Sequence, residues 1–227
     1  MIREIVLDTE TTGLNPKEGH KVIEIGCIEL INHLPTGNTF HAYINPSRDV
    51  PVEAFNISGL STEFLKQYDP FSSIAESFLE FIQGDPLIIH NASFDMGFLN
   101  FELSLIKKSF FRNNPVVDTL KMARTKFPGS PASLDALCRR FKIDNSLRIK
   151  HGALIDCELL AAVYLELIGG RQIAFNLDYD TRKEKLAETA VIVSEKLMKP
   201  LREFAATLEE KEAHRLFMEQ YILPQKK

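Results

Sequence analysis

The 227-residue sequence contains no apolar run approaching the roughly 20 residues that a helix needs to cross a bilayer, so a helical membrane protein is excluded. It is also short of cysteine. Cys27, Cys138 and Cys157 are odd in number, far apart and free of any CxxC pair, which excludes a disulfide frame and a zinc knuckle and fits reduced, partly buried thiols. A positive excess is missing too: the net charge of −4 excludes a grip on nucleic acid by bulk electrostatics. Any nucleic-acid substrate must therefore be delivered by something other than a basic surface. The run Met1-Ile2-Arg3-Glu4-Ile5 enters a strand pattern directly and lacks the shape of a signal peptide, so the expected location is cytoplasmic, with no membrane partner. No internal repeat or low-complexity tract is present.

With 44% hydrophobic and 26% charged residues, the chain has the composition of a globular protein long enough for one well-buried domain and an appendage. Residues 2–9 and 22–30 are rich in Ile and Val and read as strands, with 40–44 a shorter candidate; residues 32–38, holding Pro35 and Gly37, read as the connection before it. A helix period runs through Phe71, Ile74, Phe78, Leu79 and Ile82, and Gly84 lies just past its end. Residues 87–90 and 116–118 are short strands. Residues 94–106, 119–126, 133–141 and 152–168 read as helices, with Ser133 as an N-cap and Gly169-Gly170 as a stop. Three strands followed by alternating helices and strands give an α/β fold with a mixed central sheet flanked by helices.

Composition shifts after Gly170. Residues 178–227 carry 10 of the chain's 31 acidic side chains and 10 of its 27 basic ones, so charge density rises while its sign cancels. Leu201, Phe204, Ala205 and Leu208 form a helical stripe that Leu216, Phe217 and Tyr221 extend. Fifty residues make an independent core with difficulty, so the stripe needs a partner, either the chain's own domain or another protein.

Asp8 and Glu10 carry the chemistry. They lie one residue apart at the end of an apolar strand and so point to one side of a sheet. Adjacent buried carboxylates are costly unless a cation sits between them, although two alone fit a strand-end charge pair equally well. Asp95 follows the 87–90 strand near the first turn of a helix, and His151 precedes Asp156 by five residues. Five helical residues turn about 140° net, so His151 and Asp156 converge only if the histidine sits ahead of the helix, with Gly152 as hinge. Four carboxylates from two strands and two helices suit two Mg²⁺ or Mn²⁺ ions, and a loop histidine suits a general base. Among the remaining candidates, His90 reads as bonding near the site and His20 and His41 as surface or turn residues. Asp118 ends a strand and Asp135 suits the first turn of a helix, so both are left out. Cys157 reads as packing.

The runs Asp8-Thr9-Glu10-Thr11-Thr12-Gly13-Leu14, His90-Asn91-Ala92-Ser93-Phe94-Asp95 and His151-Gly152-Ala153-Leu154-Ile155-Asp156 resemble the three motifs of the DEDDh exonucleases. Within that family the likeness is to the proofreading subunits of bacterial replicative DNA polymerases. It extends over about residues 1–170, through segments such as Ser133-Leu134-Asp135-Ala136-Leu137-Cys138. The resemblance implies a ribonuclease H-like fold and 3′→5′ removal of nucleotides from a DNA primer end. It implies that Asp8, Glu10 and Asp156 bind metal directly, that Asp95 completes the site and that His151 is the general base. Thr9, Ile57, Ser58, His90 and Asn91 are then expected beside the terminal nucleotide, with one departure: many relatives carry histidine where Ser58 stands. Residues 171–178 resemble a linker that binds the sliding clamp, through Gln172, Phe175 and Leu177. Residues 179–227, a helical or flexible tail, correspond to the region that docks on the polymerase catalytic (alpha) subunit, and a small accessory subunit can join the same assembly. Tethering of this kind would supply the missing delivery without a basic surface. Two other readings are a free-standing DEDDh nuclease acting on RNA or small oligonucleotides and a non-catalytic adaptor between clamp and polymerase.

Overall fold

The computed structural model describes residues 1–108, 114–146, 148, 150–169 and 207–218. It divides into two compact units, Met1–Ala174 and Phe175–Lys227. Gln172, Phe175, Leu177 and most of the tail stripe (Leu201, Phe204, Ala205 and Tyr221) lie outside the described residues.

The first unit is built on β1 (Arg3–Thr11), β2 (Val22–Ile31), β3 (Leu34–Tyr43), β4 (Leu87–Ile89) and β5 (Val116–Asp118), in the order β3-β2-β1-β4-β5. β1 runs antiparallel to β2 and parallel to β4; β2–β3 is antiparallel and β4–β5 parallel. The mixed sheet expected from the sequence is therefore present. Ile5, Val6 and Leu7 are all fully buried, a continuous apolar run that only a strand covered on both faces can use.

Helices supply both covers. α1 (Val52–Ser58) and α2 (Thr62–Leu65) precede α3 (Phe71–Ile82) and α4 (Ala92–Leu105); α5 (Thr119–Lys126), α6 (Leu134–Phe141) and α7 (Ala153–Leu167) follow. Phe71, Phe78 and Ile82 of α3, with Phe98, Leu99 and Leu103 of α4, pack on the face carrying Ile5, Leu7 and Cys27. Ala123, Leu137, Cys157, Leu160 and Val163 of α5, α6 and α7 pack on the face carrying Val6, Ile28 and Leu30. All three thiols are free and buried.

One local expectation fails. The connection read across residues 32–38 shrinks to Asn32-His33, whose φ values of 50° and 69° are those of a two-residue hairpin turn. Pro35 fits because β3 is an edge strand, where a missing N–H costs no ladder bond. Gly37, at φ 87°, falls where the β2–β3 register slips, and a bulge accommodates it. α1 and α2 are additions to the sequence reading.

In the second unit, α8 (Leu208–Phe217) begins with a reciprocal cap: Thr207 Oγ1 accepts from the Glu210 N–H and Glu210 accepts from the Thr207 N–H. Among the described residues no helix is long and apolar enough to cross a membrane.

Candidate active site

Asp8 and Glu10 stand on one face of β1, opposite Gly26 and Glu24 of β2. Gly26 is what lets α7 approach that face. A Cβ there would lie 2.5 Å from the Ala153 carbonyl carbon, a backbone atom that cannot step aside. The helix is fastened at the same spot by the Cys157 thiol, which donates to the Gly26 carbonyl at 3.2 Å. Asp156, one residue earlier in the first turn of α7, is thereby brought to the two strand carboxylates and lies at the positive end of the helix. His151 lies ahead of α7, past the Gly152 cap, as the helix geometry required.

Asp95 reaches the site from the other face. Asn91 enters α4 in the left-handed conformation, at φ 65°, and Asp95 occupies the first turn. Its Oδ1 accepts from the Thr9 N–H at 3.1 Å and from the Thr9 hydroxyl at 2.7 Å. Thr9 alternates with Asp8 and Glu10 along β1, so one three-residue run offers two acids to one face and a clamp for a third acid to the other.

A cavity of about 770 Å³ is lined by Asp8, Glu10, Asp95, His151 and Asp156, and also by Thr9, Ile57, His90 and Asn91. Leu14 and Ile57 bring exposed apolar surface to it. Ser58 is not part of the lining. Its hydroxyl donates to the Ala54 carbonyl and accepts from the Leu60 N–H, which commits it to the end of α1. His90 Nδ1 bonds the Thr119 hydroxyl at 3.0 Å, and burial pushes its pKa down. His20, read as a turn residue, packs its ring against Gly13 at the rim.

The electrostatics are those of a site short of positive charge. Burial, then the neighbouring acids Asp156 and Glu24, raises Glu10 to about 8. Burial likewise raises Asp95 to about 7, even though both Thr9 bonds oppose it. Asp8, half-buried and close to Asp95, Glu10 and Asp156, is pushed well above the carboxylate range by desolvation and by those acids. Hard divalent cations prefer oxygen donors of this kind, and ligand atoms of Glu10, His151 and Asp156 all lie within 4.8 Å of one another. The donor set fits such an ion.

Sequence reasoning missed Arg148. Its Nε donates to Asp156 Oδ1 at 2.5 Å, and its Nη2 donates to Asp156 Oδ2 at 2.6 Å and lies 3.0 Å from His151 Nδ1. Its Nη1 donates to Oδ1 of Asp135, an acid left out of the site, at 2.8 Å. The signal available was charge balance: a cluster of buried acids needs a cation, and Arg148 is in the loop between the helices bearing Asp135 and Asp156.

Residues 5–164 match the family model described as Exonuclease. A protein of Rickettsia felis named DNA polymerase III subunit epsilon is 55% identical over 194 residues, 84% of this chain and 85% of its own. One of the same name from Escherichia coli K12 is 46% identical over 220 residues, 93% and 90% of the two chains. Among solved structures, the nuclease domain of 3′hExo, a DEDDh family member bound to rAMP, superposes with a TM-score of 0.63 at 19% identity, over 73% of this chain and 91% of that one. Exonuclease X in complex with 5′ overhanging duplex DNA gives 0.59 at 22%, over 73% and 90%. Both show the fold, ribonuclease H-like as the sequence suggested. The chain belongs to the Exonuclease family, which depends on divalent metal, and within it to the DNA polymerase III epsilon subunits, and it is a 3′→5′ exonuclease.

Proposed function

We propose that this chain proofreads for a replicative DNA polymerase, removing misincorporated nucleotides from the primer 3′ end. The observation that carries the reading is the convergence of Asp8, Glu10, Asp95, Asp156 and His151 on one cavity. Asp8, Glu10 and Asp156, with Asp95, would hold two divalent cations, Mg²⁺ or Mn²⁺, which supply positive charge for activating water and stabilising the leaving oxygen. His151 is half exposed on its loop, can reach an attacking water and takes its proton on a ring nitrogen. Thr9 holds Asp95, and His90 is fixed by Thr119, so both order the floor of the site. Ile57 and Asn91 lie where the terminal nucleotide would rest, Ile57 offering an apolar face to its base. Ser58 acts at one remove, by holding the end of α1. A mismatched end would be removed faster because it unpairs at lower cost, not because its shape is read.

Delivery is the second half of the proposal. Residues 1–170 form the nuclease domain, residues 171–178 link it to the sliding clamp through Gln172, Phe175 and Leu177, and residues 179–227 dock on the polymerase catalytic (alpha) subunit. A small accessory subunit can complete the assembly, which would work in the cytoplasm. The names of the Rickettsia and Escherichia relatives support this reading, as does the chain's acidic balance, which makes tethering necessary.

The test is degradation of a 3′-labelled, mispaired primer–template in Mg²⁺ or EDTA, beside His151→Ala. Metal-dependent release of the terminal nucleotide that collapses in the variant is expected. Release that survives the variant removes His151 as base, and a preference for RNA ends would favour the free-standing nuclease.

A further inference from the structure

We propose that Arg148 is a positioning residue: a resident cation that holds Asp156 and His151 until a divalent ion takes its place, with Asp135 as the perch for its guanidinium afterwards. This rests on the metal-assisted reading above and concerns the same site.

The geometry makes Arg148 and a metal rivals for one carboxylate. Nε and Nη2 form a two-pronged fork on both oxygens of Asp156, the strongest arrangement a guanidinium offers. The Asp156 carboxylate therefore has its best in-plane positions filled. The side chains of Arg148 and Asp156 are 7% and 4% exposed, so the ion pair is largely shielded from water, and leaving Asp156 uncompensated there would be costly. Something positive has to stay beside it.

His151 is caught in the same grip. A guanidinium has donors only, so the 3.0 Å contact from Nη2 uses the lone pair on His151 Nδ1. A neutral imidazole has one such lone pair, its other nitrogen carrying the proton. While Arg148 stays on Nδ1, the ring has nothing left with which to accept a proton from water. Withdrawal of Nη2 returns that lone pair.

Residues 150 and 151 are held independently of the Arg148 side chain. The His151 N–H donates to the Ile57 carbonyl at 3.1 Å. Lys150 Nζ lies 4.7 Å from the centre of the Phe55 ring and its stem covers Gly59. These contacts fasten residues 150 and 151 to α1 and make no demand on the Arg148 side chain. Arg148 already touches Asp135 with Nη1, and Asp135 is 41% exposed. A guanidinium pivoting about that bond exchanges the buried acid for a wetter one and keeps an ion pair. The entering cation therefore displaces a charge that has somewhere to go.

Two substitutions separate this role from simple structural support, because they shift metal affinity in opposite directions. Free Mn²⁺ would be counted by electron paramagnetic resonance during titration of the chelator-treated full chain, without DNA. Arg148→Gln removes the competitor, and Mn²⁺ should bind about tenfold tighter, the gain that would follow were Asp156 open in about one molecule in ten. Asp135→Asn removes the perch, and binding should weaken about threefold. Equal or weaker binding by Arg148→Gln would overturn the proposal, as would tighter or unchanged binding by Asp135→Asn, which also decides the matter should Arg148→Gln fail to fold. Wild-type protein that takes up no Mn²⁺ would instead overturn the metal reading on which this one stands.

Discussion

β1 buries acids at both of its ends, and the two ends treat them differently. Near its start, Glu4 is 4% exposed and receives two donors: the Tyr164 hydroxyl at 2.8 Å and His33 Nδ1 at 2.6 Å. Near its finish, Asp8 and Glu10 stand on the same face of the strand, but their neighbours are mostly acids, with Arg148 the cation beside them. Both ends lie under α7 and use the same alternation. The difference lies in who answers the charge. A structural carboxylate is matched from within the protein, whereas around this cluster four carboxylates share the single guanidinium of Arg148, which makes it a receptor for cations.

The sharpest way to break that contrast is Asp8→Asn. Excision in Mg²⁺ should fall at least about a thousandfold, since metal-centred charge stabilisation is among the largest catalytic terms. Melting of the chelated protein should hold or rise, because one member of a like-charged cluster is gone. His151→Gln should cost about 10²–10⁴-fold in single-turnover excision while leaving Mn²⁺ uptake in place, which distinguishes the proton acceptor from the metal-binding acids. Gly26→Ala tests the frame behind the acids: an added Cβ 2.5 Å from the Ala153 backbone should destabilise the fold by about 1–3 kcal/mol and weaken excision by displacing Asp156. At the opposite end, Glu4→Gln should cost about 1–2 kcal/mol in chemical denaturation and leave metal-dependent excision intact.

The smallest effect is on pH. Glu10 at about 8 and Asp95 at about 7 bind their protons more tightly folded than unfolded. Between pH 6.5 and 8 the native state still holds protons that the unfolded chain has lost, so the stability of the chelated protein should fall as pH rises. About 1–2 kcal/mol is expected across that window by denaturant titration. Burial of His90 works in the opposite sense below its unfolded value of about 6.5, which is why the window begins there. Saturating Mg²⁺ should flatten the slope, because the bound ion answers the same charges.

How much of this was legible in the sequence depended on range. Ile5, Val6 and Leu7 announced a doubly covered strand by themselves, and the amphipathic period of residues 71–82 announced α3. The four acids and the histidine were readable as three short runs, and the structure brings all of them to one cavity. Pro35 and Gly37 misled because local turn chemistry was overruled by an edge strand and a bulge, while the actual turn used Asn32 and His33. Ser58 looked like part of the site because it stands near Ile57, yet adjacent residues on a helix point about 100° apart and its hydroxyl is spent on α1. Arg148 and Asp135 were invisible for a tertiary reason: a loop of unspecified path joins α6 to α7, and only the folded path shows that it carries a guanidinium onto both acids.

The most direct test of the contrast between the two ends of β1 is the stoichiometry of Mn²⁺ binding to the full chain, wild type beside Asp8→Asn and Glu4→Gln. Two ions per chain for wild type and Glu4→Gln, with loss of binding in Asp8→Asn, is the expected result. No uptake by wild type, or uptake unaffected by Asp8→Asn, would contradict the claim that the unmatched acids at the end of β1 are there to hold metal.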